Sequence, residues 1–210
     1  MVPRWVVVVP VKELRLAKTR LTEFTAQQRA EIALAAARDV VAAAAGCPLV
    51  DAVYVVTNDL LAADTLGGDG ARVIADTADS GLNPALEDGA RIAAGWHPRA
   101  GVAALSADLP ALTPAELGEA LGAAGAPRCF VTDHARSGTT MLTAAPGVPL
   151  VPSFGPASRE LHLRSGAVEL LGDWPGLRRD VDTAADLAAA AAGPLGEHTA
   201  AVLRRVWSPR

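Results

Sequence analysis

The sequence has few of the residues that define several familiar protein classes. It contains only two cysteines in 210 residues. These are Cys47 and Cys129, and their spacing fits neither a disulfide framework nor a metal site, so we expect two buried thiols. Aromatic residues make up 4% of the chain, while half of it is apolar. This composition favours helices packed on a parallel sheet over an all-β sandwich.

The sequence also lacks a long apolar run and an excess of positive charge. The first apolar run, Trp5–Val9, is followed closely by Lys12 and is far shorter than the roughly 18 residues of a membrane span. The net charge is −4, so the chain has no basic footprint of the kind nucleic-acid binders show. We therefore expect one cytoplasmic domain over residues 1–210, with no membrane or nucleic-acid partner. The pattern indicates no particular oligomeric state.

Apolar runs of strand length alternate with helical segments along the chain. Strands are predicted at Trp5–Val9, Val53–Thr57, Ala71–Ala75, Val102–Leu105, Arg128–Thr132 and Thr140–Thr143. Helices are predicted over Thr25–Ala45, Asn83–Ala94, Pro114–Ala124 and Ala184–Ala192, and Gly67–Gly70 is interpreted as a turn. This order predicts an α/β fold with a mostly parallel, doubly wound sheet and right-handed crossovers.

The most informative stretch runs from Ala104 to Leu112. It places Asp108 at the end of an apolar run, immediately before a Leu-Pro pair. In open α/β sheets the ligand crevice lies at the carboxyl ends of the strands, and a carboxylate there can hold a divalent cation against nucleotide phosphates. The alternative is that Asp108 only caps the helix that Thr113 and Pro114 open.

A second acidic cluster lies near the other end of the chain, at Asp180 and Asp182. Together with Asp108 it favours a site for Mg²⁺, with Asp108 and Asp182 as ligands and Asp180 as an additional candidate.

The loop after the first predicted strand is basic. It contains Pro10, Lys12, Lys18 and Arg20, and loops in this position of a doubly wound sheet usually receive nucleotide phosphates. Ammonium and guanidinium groups can offset the charge of a triphosphate. The alternative is a solvated basic helix face.

Three further segments are rich in glycine, hydroxyl or amide groups. Gly81 allows close backbone approach, and Asn83 could bind a base edge or a ribose, or act as an N-cap. The segments Ser137–Thr140 and Phe154–Ser158 offer donors that suit a second anion. His162 has no partner at catalytic spacing and is interpreted as structural.

These motifs occur in an order that resembles a known family. The segments are Pro10-Val11-Lys12 with Ala17–Leu21, Gly81-Leu82-Asn83, Ala107–Pro110, Ser137–Thr140, Phe154–Ser158 and Asp180–Thr183. From about Val6 to Leu187 the chain is similar to the 2-phospho-L-lactate guanylyltransferase family, including its phosphoenolpyruvate guanylyltransferase branch. The resemblance implies a nucleotidyltransferase fold of the glycosyltransferase-A type, with GTP as donor in the synthesis of coenzyme F420.

The resemblance also implies which residues contact the acceptor. Carried onto this sequence, they are Thr139, Gly155 and Ser158, with Thr140 as the alternative to Thr139. Arg136 stands where the family commonly has a small residue, so it could reshape the acceptor pocket or reach the acceptor's carboxylate.

The resulting hypothesis is an enzyme that transfers GMP from GTP to phosphoenolpyruvate or 2-phospho-L-lactate and releases pyrophosphate. Asp108, Asp182 and Asp180 would hold Mg²⁺, and Lys12, Lys18 and Arg20 would hold the triphosphate and stabilise the leaving group. Pro10, Gly81 and Asn83 would complete the nucleotide site. The alternatives are a nucleotidyltransferase of the same fold that uses CTP or a sugar phosphate, and a non-catalytic nucleotide-binding subunit.

Overall fold

A computed structural model describes residues 4–76 and 81–207, which build a seven-stranded sheet in the order β3-β2-β1-β4-β6-β5-β7. The strands are β1 Trp5–Pro10, β2 Val50–Thr57, β3 Arg72–Ala75, β4 Gly101–Leu105, β5 Arg128–Thr132, β6 Thr139–Ala144 and β7 Val168–Glu169. Strand β6 runs antiparallel to β4 and to β5, and the other pairings of these strands are parallel. The mostly parallel sheet predicted from the sequence is confirmed, with one reversed strand.

Helices cover both faces of the sheet. They are α1 Ala26–Gly46, α2 Leu60–Gly68, α3 Leu82–Trp96, α4 Pro114–Ala123, α5 Ser158–Arg164, α6 Pro175–Arg178, α7 Ala184–Ala191 and α8 Glu197–Val206. The alternating valines of β1 separate the two layers: Val7 and Val9 pack in a core with α1 and α4, whereas Val6 and Val8 pack in a second core with α3. Because both faces of β1 are buried, its sequence is a continuous apolar run.

Three of the predicted helices, α1, α4 and α7, begin with capping boxes. Thr25 accepts a hydrogen bond from the backbone of Gln28 at the start of α1, and Thr113 does the same with Glu116 at the start of α4. Asp108 is therefore not the cap of α4, and that alternative is wrong. The predicted turn at Gly67–Gly70 begins inside a helix, since α2 ends at Gly68 and only Gly70 has a positive φ, of 94°.

A third apolar cluster holds two distant loops together. It joins Leu21, which follows the basic loop, to Val181, which lies between the two acidic residues of the 180–182 segment, and adds side chains from α1, α7 and α8. Leu21 is fully buried and Val181 is 2% exposed. The same cluster thus fixes the basic loop and the acidic segment relative to each other.

The N-terminus of α8 is capped by a side chain from another helix. Asp39, on α1, accepts hydrogen bonds from the backbone N–H groups of His198 at 3.0 Å and Thr199 at 2.8 Å. A Cβ on Gly196 would lie only 2.2 Å from Asp39 Cγ, so the close approach requires glycine. This cap anchors α8 and thereby the third cluster.

Cys47 and Cys129 are both buried free thiols, as the sequence predicts. Within residues 4–76 and 81–207, no helix has the length and apolar content needed to cross a membrane.

Candidate active site

A cavity of about 720 Å³ opens where the chain leaves β1 and β4. The sequence-predicted residues that line it are Pro10, Lys12, Lys18, Arg20, Asp108, Thr139, Gly155, Ser158, Asp180 and Asp182. Lys18 and Asp182, which are more than 160 positions apart in the sequence, form a hydrogen bond in this cavity. Gly81 and Asn83 do not line the cavity.

At one end of the cavity, Lys18 lies between two carboxylates. Its Nζ is 2.5 Å from Asp108 Oδ2 and 3.3 Å from Asp182 Oδ1, and its side chain is only 9% exposed. Burial by itself would lower the pKa of Lys18, but the two carboxylates outweigh that effect and leave the pKa raised. The ammonium group therefore stays charged, and Lys18 does not belong to a solvated helix face.

The backbone explains how Lys18 reaches inward. Its φ is +54°, in the left-handed region that a non-glycine residue adopts only when the surroundings enforce it. The buried Leu21, three residues later, anchors the segment in the third apolar cluster.

The two acidic segments are joined directly through their backbones. The Val181 N–H donates to the Asp108 carbonyl at 3.1 Å, which brings Asp180 and Asp182 to the same place as Asp108. Burial, followed by the negative charge of Asp108, raises the pKa of Asp180 to about 7. This corner of the cavity therefore concentrates negative potential.

The other predicted cations are more accessible. Arg20 is 74% exposed, with its guanidinium 3.7 Å from Asp182 Oδ2. Lys12 is exposed at the cavity wall. Both side chains are free to turn toward an anionic ligand.

A second part of the cavity wall, here called the hydroxyl-lined end, consists of hydroxyl-bearing residues and backbone. Ser158 is 1% exposed, and its Oγ has no hydrogen-bond partner among residues 4–76 and 81–207. Gly155 lines the wall with a φ of +124°, a conformation that favours glycine. An unpaired buried hydroxyl is costly, and a polar ligand would satisfy it.

The structure separates the two candidate threonines. Thr139 lines the cavity, whereas Thr140 does not and is fully buried with its hydroxyl aimed at the Val131 carbonyl, 3.5 Å away. Side chains alternate along a strand, so adjacent residues of β6 face opposite sides.

Asn83 and His162 hold the loop at residues 151–158. The Asn83 amide oxygen accepts from the Phe154 N–H at 2.7 Å, and its nitrogen donates to the Phe154 carbonyl at 3.0 Å. Asn83 is thus committed to the loop instead of a base or ribose. It is also not an N-cap, since Gly81 occupies that position of α3. The predicted structural role of His162 agrees with its complete burial.

Asp133 has a role that the sequence did not indicate. Its carboxylate accepts from the backbone N–H groups of Ser137 at 2.9 Å and Gly138 at 2.8 Å and so shapes the turn before Thr139. A Cβ at Gly138 would lie 2.5 Å from the Asp133 Oδ2, so glycine is required there. An Asp followed four and five residues later by Ser and Gly was the only local signal.

Arg136 does not line the cavity. Its guanidinium lies 3.6 Å from Glu169, which also receives two hydrogen bonds from Arg159, at 2.8 and 3.0 Å. The structure therefore does not place Arg136 in the pocket as expected, because its guanidinium pairs with Glu169 instead.

The donor set at the carboxylate end suits a hard divalent cation. Asp108 and Asp182 both accept hydrogen bonds from the Lys18 ammonium group, so their oxygens converge on one region. Over residues 4–76 and 81–207, no group of three or more acidic, His or Cys side chains is arranged to hold a metal. An ion held by two carboxylates would take its remaining ligands from phosphates and water, which is the usual coordination of Mg²⁺.

Comparison with known proteins identifies relatives over nearly the whole chain. Phosphoenolpyruvate guanylyltransferases from Thermomonospora curvata and Geodermatophilus obscurus are each 53% identical; the matches cover 96% and 95% of this chain and 90% and 94% of theirs. A nucleotidyl transferase from Methanothermobacter thermautotroptrophicus superposes with a TM-score of 0.65 at 19% identity, covering 96% of this chain and 98% of that one. That likeness confirms the nucleotidyltransferase fold.

A family model described as guanylyl transferase, CofC-like, matches residues 5–164. The matched region includes the basic loop, Asp108 and the loop with Gly155 and Ser158, and it ends before Asp180. The chain belongs to this family of CofC-like guanylyl transferases.

Proposed function

We propose that this chain transfers GMP from GTP to the phosphate group of phosphoenolpyruvate or 2-phospho-L-lactate, releasing pyrophosphate. The observation that carries the proposal is that one cavity is lined by the charged Lys18, Asp108 and Asp182 and also by hydroxyl-bearing residues. Among these, Ser158 Oγ has no partner in the part of the chain that the structure describes. The two relatives that are 53% identical to this chain are named phosphoenolpyruvate guanylyltransferases, which supports phosphoenolpyruvate as the acceptor. The reaction would serve the synthesis of coenzyme F420 in the cytoplasm, where GTP is available.

The charged end suits the triphosphate. Lys12, Lys18 and Arg20 would bind its phosphates and stabilise the pyrophosphate as negative charge builds on it. Pro10 would bring backbone close to the nucleotide, and Asn83 would act only through Phe154. Gly81, outside the cavity wall, would act only by starting α3, whose first residue Leu82 lines the cavity.

The reaction is one displacement at phosphorus. An oxygen of the acceptor phosphate forms a bond to the α-phosphorus of GTP, and the bond from that phosphorus to the bridging oxygen breaks. Pyrophosphate leaves with the electron pair. A phosphate monoester is already an oxyanion near neutral pH, so no general base is required. Positioning and charge stabilisation supply most of the rate.

Asp108 and Asp182 would hold Mg²⁺, with Asp180 as an additional ligand. When bound, Mg²⁺ offsets phosphate charge and polarises phosphoryl oxygens as a Lewis acid. Before any cation enters, the Lys18 ammonium balances the two carboxylates.

The hydroxyl-lined end suits the acceptor. Ser158 Oγ and Thr139 Oγ1 can each donate to an oxyanion, and the backbone at Gly155 allows close approach. Phosphoenolpyruvate and 2-phospho-L-lactate both present a phosphate and a carboxylate, so the shape of this end decides between them.

The test incubates the purified protein with Mg²⁺, either GTP or CTP, and one acceptor at a time, and measures pyrophosphate release. The acceptors are phosphoenolpyruvate, 2-phospho-L-lactate and 3-phosphoglycerate. We expect release with GTP and phosphoenolpyruvate. Turnover with CTP but not GTP would assign the chain to another nucleotidyltransferase reaction, and no turnover with any pair would reject the proposal.

A further inference from the structure

His162 is held in one orientation at the hydroxyl-lined end of the cavity. It is fully buried, and the rings of Phe130 and Phe154 pack against it with centroid distances of 5.6 and 5.5 Å. Its Nδ1 lies 2.9 Å from Thr139 Oγ1, and its Nε2 accepts from the backbone N–H of Ser153 at 3.0 Å. Both ring nitrogens are therefore engaged.

These contacts determine where the ring carries its proton. A backbone N–H can only donate, so Nε2 must be the unprotonated nitrogen. Burial, with a further contribution from Arg128, lowers the pKa of His162 to about 4, so the ring is neutral at physiological pH. The single proton of the neutral ring is then on Nδ1, which donates to Thr139.

The proton on Nδ1 has a consequence for Thr139. Because its oxygen accepts a hydrogen bond from His162, the hydroxyl does not give its own proton to the ring. Thr139 lines the cavity, so this proton is available to a ligand there. The arrangement favours a ligand atom that only accepts, such as a phosphate or carboxylate oxygen.

We propose that His162 is a positioning residue that orients the Thr139 hydroxyl as a donor to the anionic acceptor. Through its bond to Ser153, it also fixes the start of the loop that carries Gly155 and Ser158. This inference rests on the proposed function, since it assigns the acceptor anion to Thr139. Asn83 holds the same loop at the next residue, Phe154, so the loop is fixed at two consecutive positions.

The first experiment uses His162→Gln. Glutamine places an amide oxygen near the position of Nε2, so the bond to Ser153 is retained, but no donor remains at the position of Nδ1. We expect the KM for phosphoenolpyruvate to rise about tenfold, with the KM for GTP changed less than about twofold. The matched control is His97→Gln, since His97 bonds to the Tyr54 hydroxyl at 2.9 Å and does not line the cavity. It should leave both KM values unchanged.

A double-mutant cycle separates positioning from general support of the fold. If His162 acts through Thr139, Thr139→Val should raise the acceptor KM, and His162→Gln added to it should raise it no further. Additive effects would overturn the inference. So would an acceptor KM in His162→Gln within about twofold of the wild type, or an equal rise in the KM for GTP.

A second measurement is made on the wild-type protein, so it does not depend on whether a variant folds. Long-range ¹H–¹⁵N NMR of the imidazole rings distinguishes the two neutral tautomers, and the chain has only four histidines to assign. We expect His162 to carry its proton on Nδ1. A proton on Nε2, or a positively charged ring at pH 7, would overturn the inference.

The outcomes also distinguish this inference from the proposed function. A wild-type protein that releases no pyrophosphate with any nucleotide and acceptor pair refutes both. A wild-type protein that turns over GTP and phosphoenolpyruvate, but whose acceptor KM is insensitive to His162→Gln, refutes only the role of His162.

Discussion

The two ends of the cavity are held by different kinds of interaction. At the end that we propose for the nucleotide, charged groups meet near solvent: Arg20 is 74% exposed and Asp182 is 49% exposed. At the end that we propose for the acceptor, Ser158 and His162 are neutral and at most 1% exposed, and the Asp133 carboxylate is held by the backbone N–H groups of Ser137 and Gly138. Exposed charges can rearrange around a large ligand, whereas buried hydrogen bonds keep one geometry. In the proposed reaction, the first end would supply charge and the second would select the acceptor.

The largest expected effect is at the carboxylates. Asp108→Asn should leave the protein folded and reduce kcat/KM by at least about a hundredfold, because an amide cannot supply the negative charge that Mg²⁺ requires. Steady-state pyrophosphate release at several Mg²⁺ concentrations measures this. The control is Asp51→Asn, since Asp51 pairs with Arg4 at the surface. Near-normal turnover at saturating Mg²⁺ would show that Asp108 is not a ligand in the proposed metal site.

The other two carboxylates refine this prediction. Asp182→Asn should be as damaging as Asp108→Asn, since both residues contact Lys18. Asp180→Asn should reduce activity less, and the same assay compares the three variants. If Asp180→Asn is the most damaging of them, the roles of Asp180 and Asp182 are reversed.

The next effect concerns the acceptor end. Ser158→Ala removes the unpartnered hydroxyl and should raise the acceptor KM by about 5- to 30-fold, which corresponds to roughly 1–2 kcal/mol, with little change for GTP. Initial rates with each substrate varied in turn measure both constants. Thr139→Val should behave in the same way, whereas Thr140→Val should be milder because Thr140 lies outside the cavity. A change confined to the KM for GTP would mean that the nucleotide and the acceptor have been assigned to the wrong ends of the cavity.

A smaller effect is expected on stability. Because the pKa of Asp180 is raised to about 7, the folded protein holds a proton that the unfolded chain releases near pH 4. The stability from this group is present at low pH and is lost as the pH rises through 7. In metal-free protein, Asp180→Asn should therefore stabilise the fold at pH 8 by about 1 kcal/mol in the free energy of unfolding, after allowance for solvent screening. This corresponds to a rise in Tm of a few degrees at pH 8, and the rise at pH 5 should be smaller. A difference that is the same at both pH values would contradict the burial of a protonated carboxyl group.

The smallest effect is expected at the exposed cation. Arg20→Ala should raise the KM for GTP by about two- to fivefold, and the difference from the wild type should shrink as salt is added, because exposed charges are screened. Kinetics at low and high ionic strength measure this. A salt-independent loss in kcat would indicate that Arg20 becomes buried against the substrate.

Much of the fold could be predicted because the strands near the middle of the sheet are buried on both faces. Strand β1 is a run of valines, and the sequence predicts it to within one residue. The direction of β6 could not be predicted, since an apolar strand has the same pattern in either direction. Helix α8 lacks a local N-cap signal, because its cap is Asp39, about 160 residues earlier.

The charged end of the site was easier to predict than the buried end. Asp108 follows a strand, so its place at the edge of the sheet follows from the pattern alone. His162 and Asn83 act through contacts with Ser153 and Phe154 that depend on how an irregular loop folds. Arg136 was misinterpreted for the same reason, since its partner Glu169 lies on a short edge strand.

The reversed strand has a consequence for how acceptor preference can change. Because β6 is antiparallel to β4, its first residue, Thr139, lies at the edge of the sheet where β4 ends. Thr139, Gly155 and Ser158, with the residues that hold them, thus lie mainly on one continuous stretch between the start of β5 and the end of β7. Under the proposed function, exchanging that stretch between relatives would transfer acceptor preference, provided that its pairing with β4 and its contacts with Asn83 and Arg178 are matched.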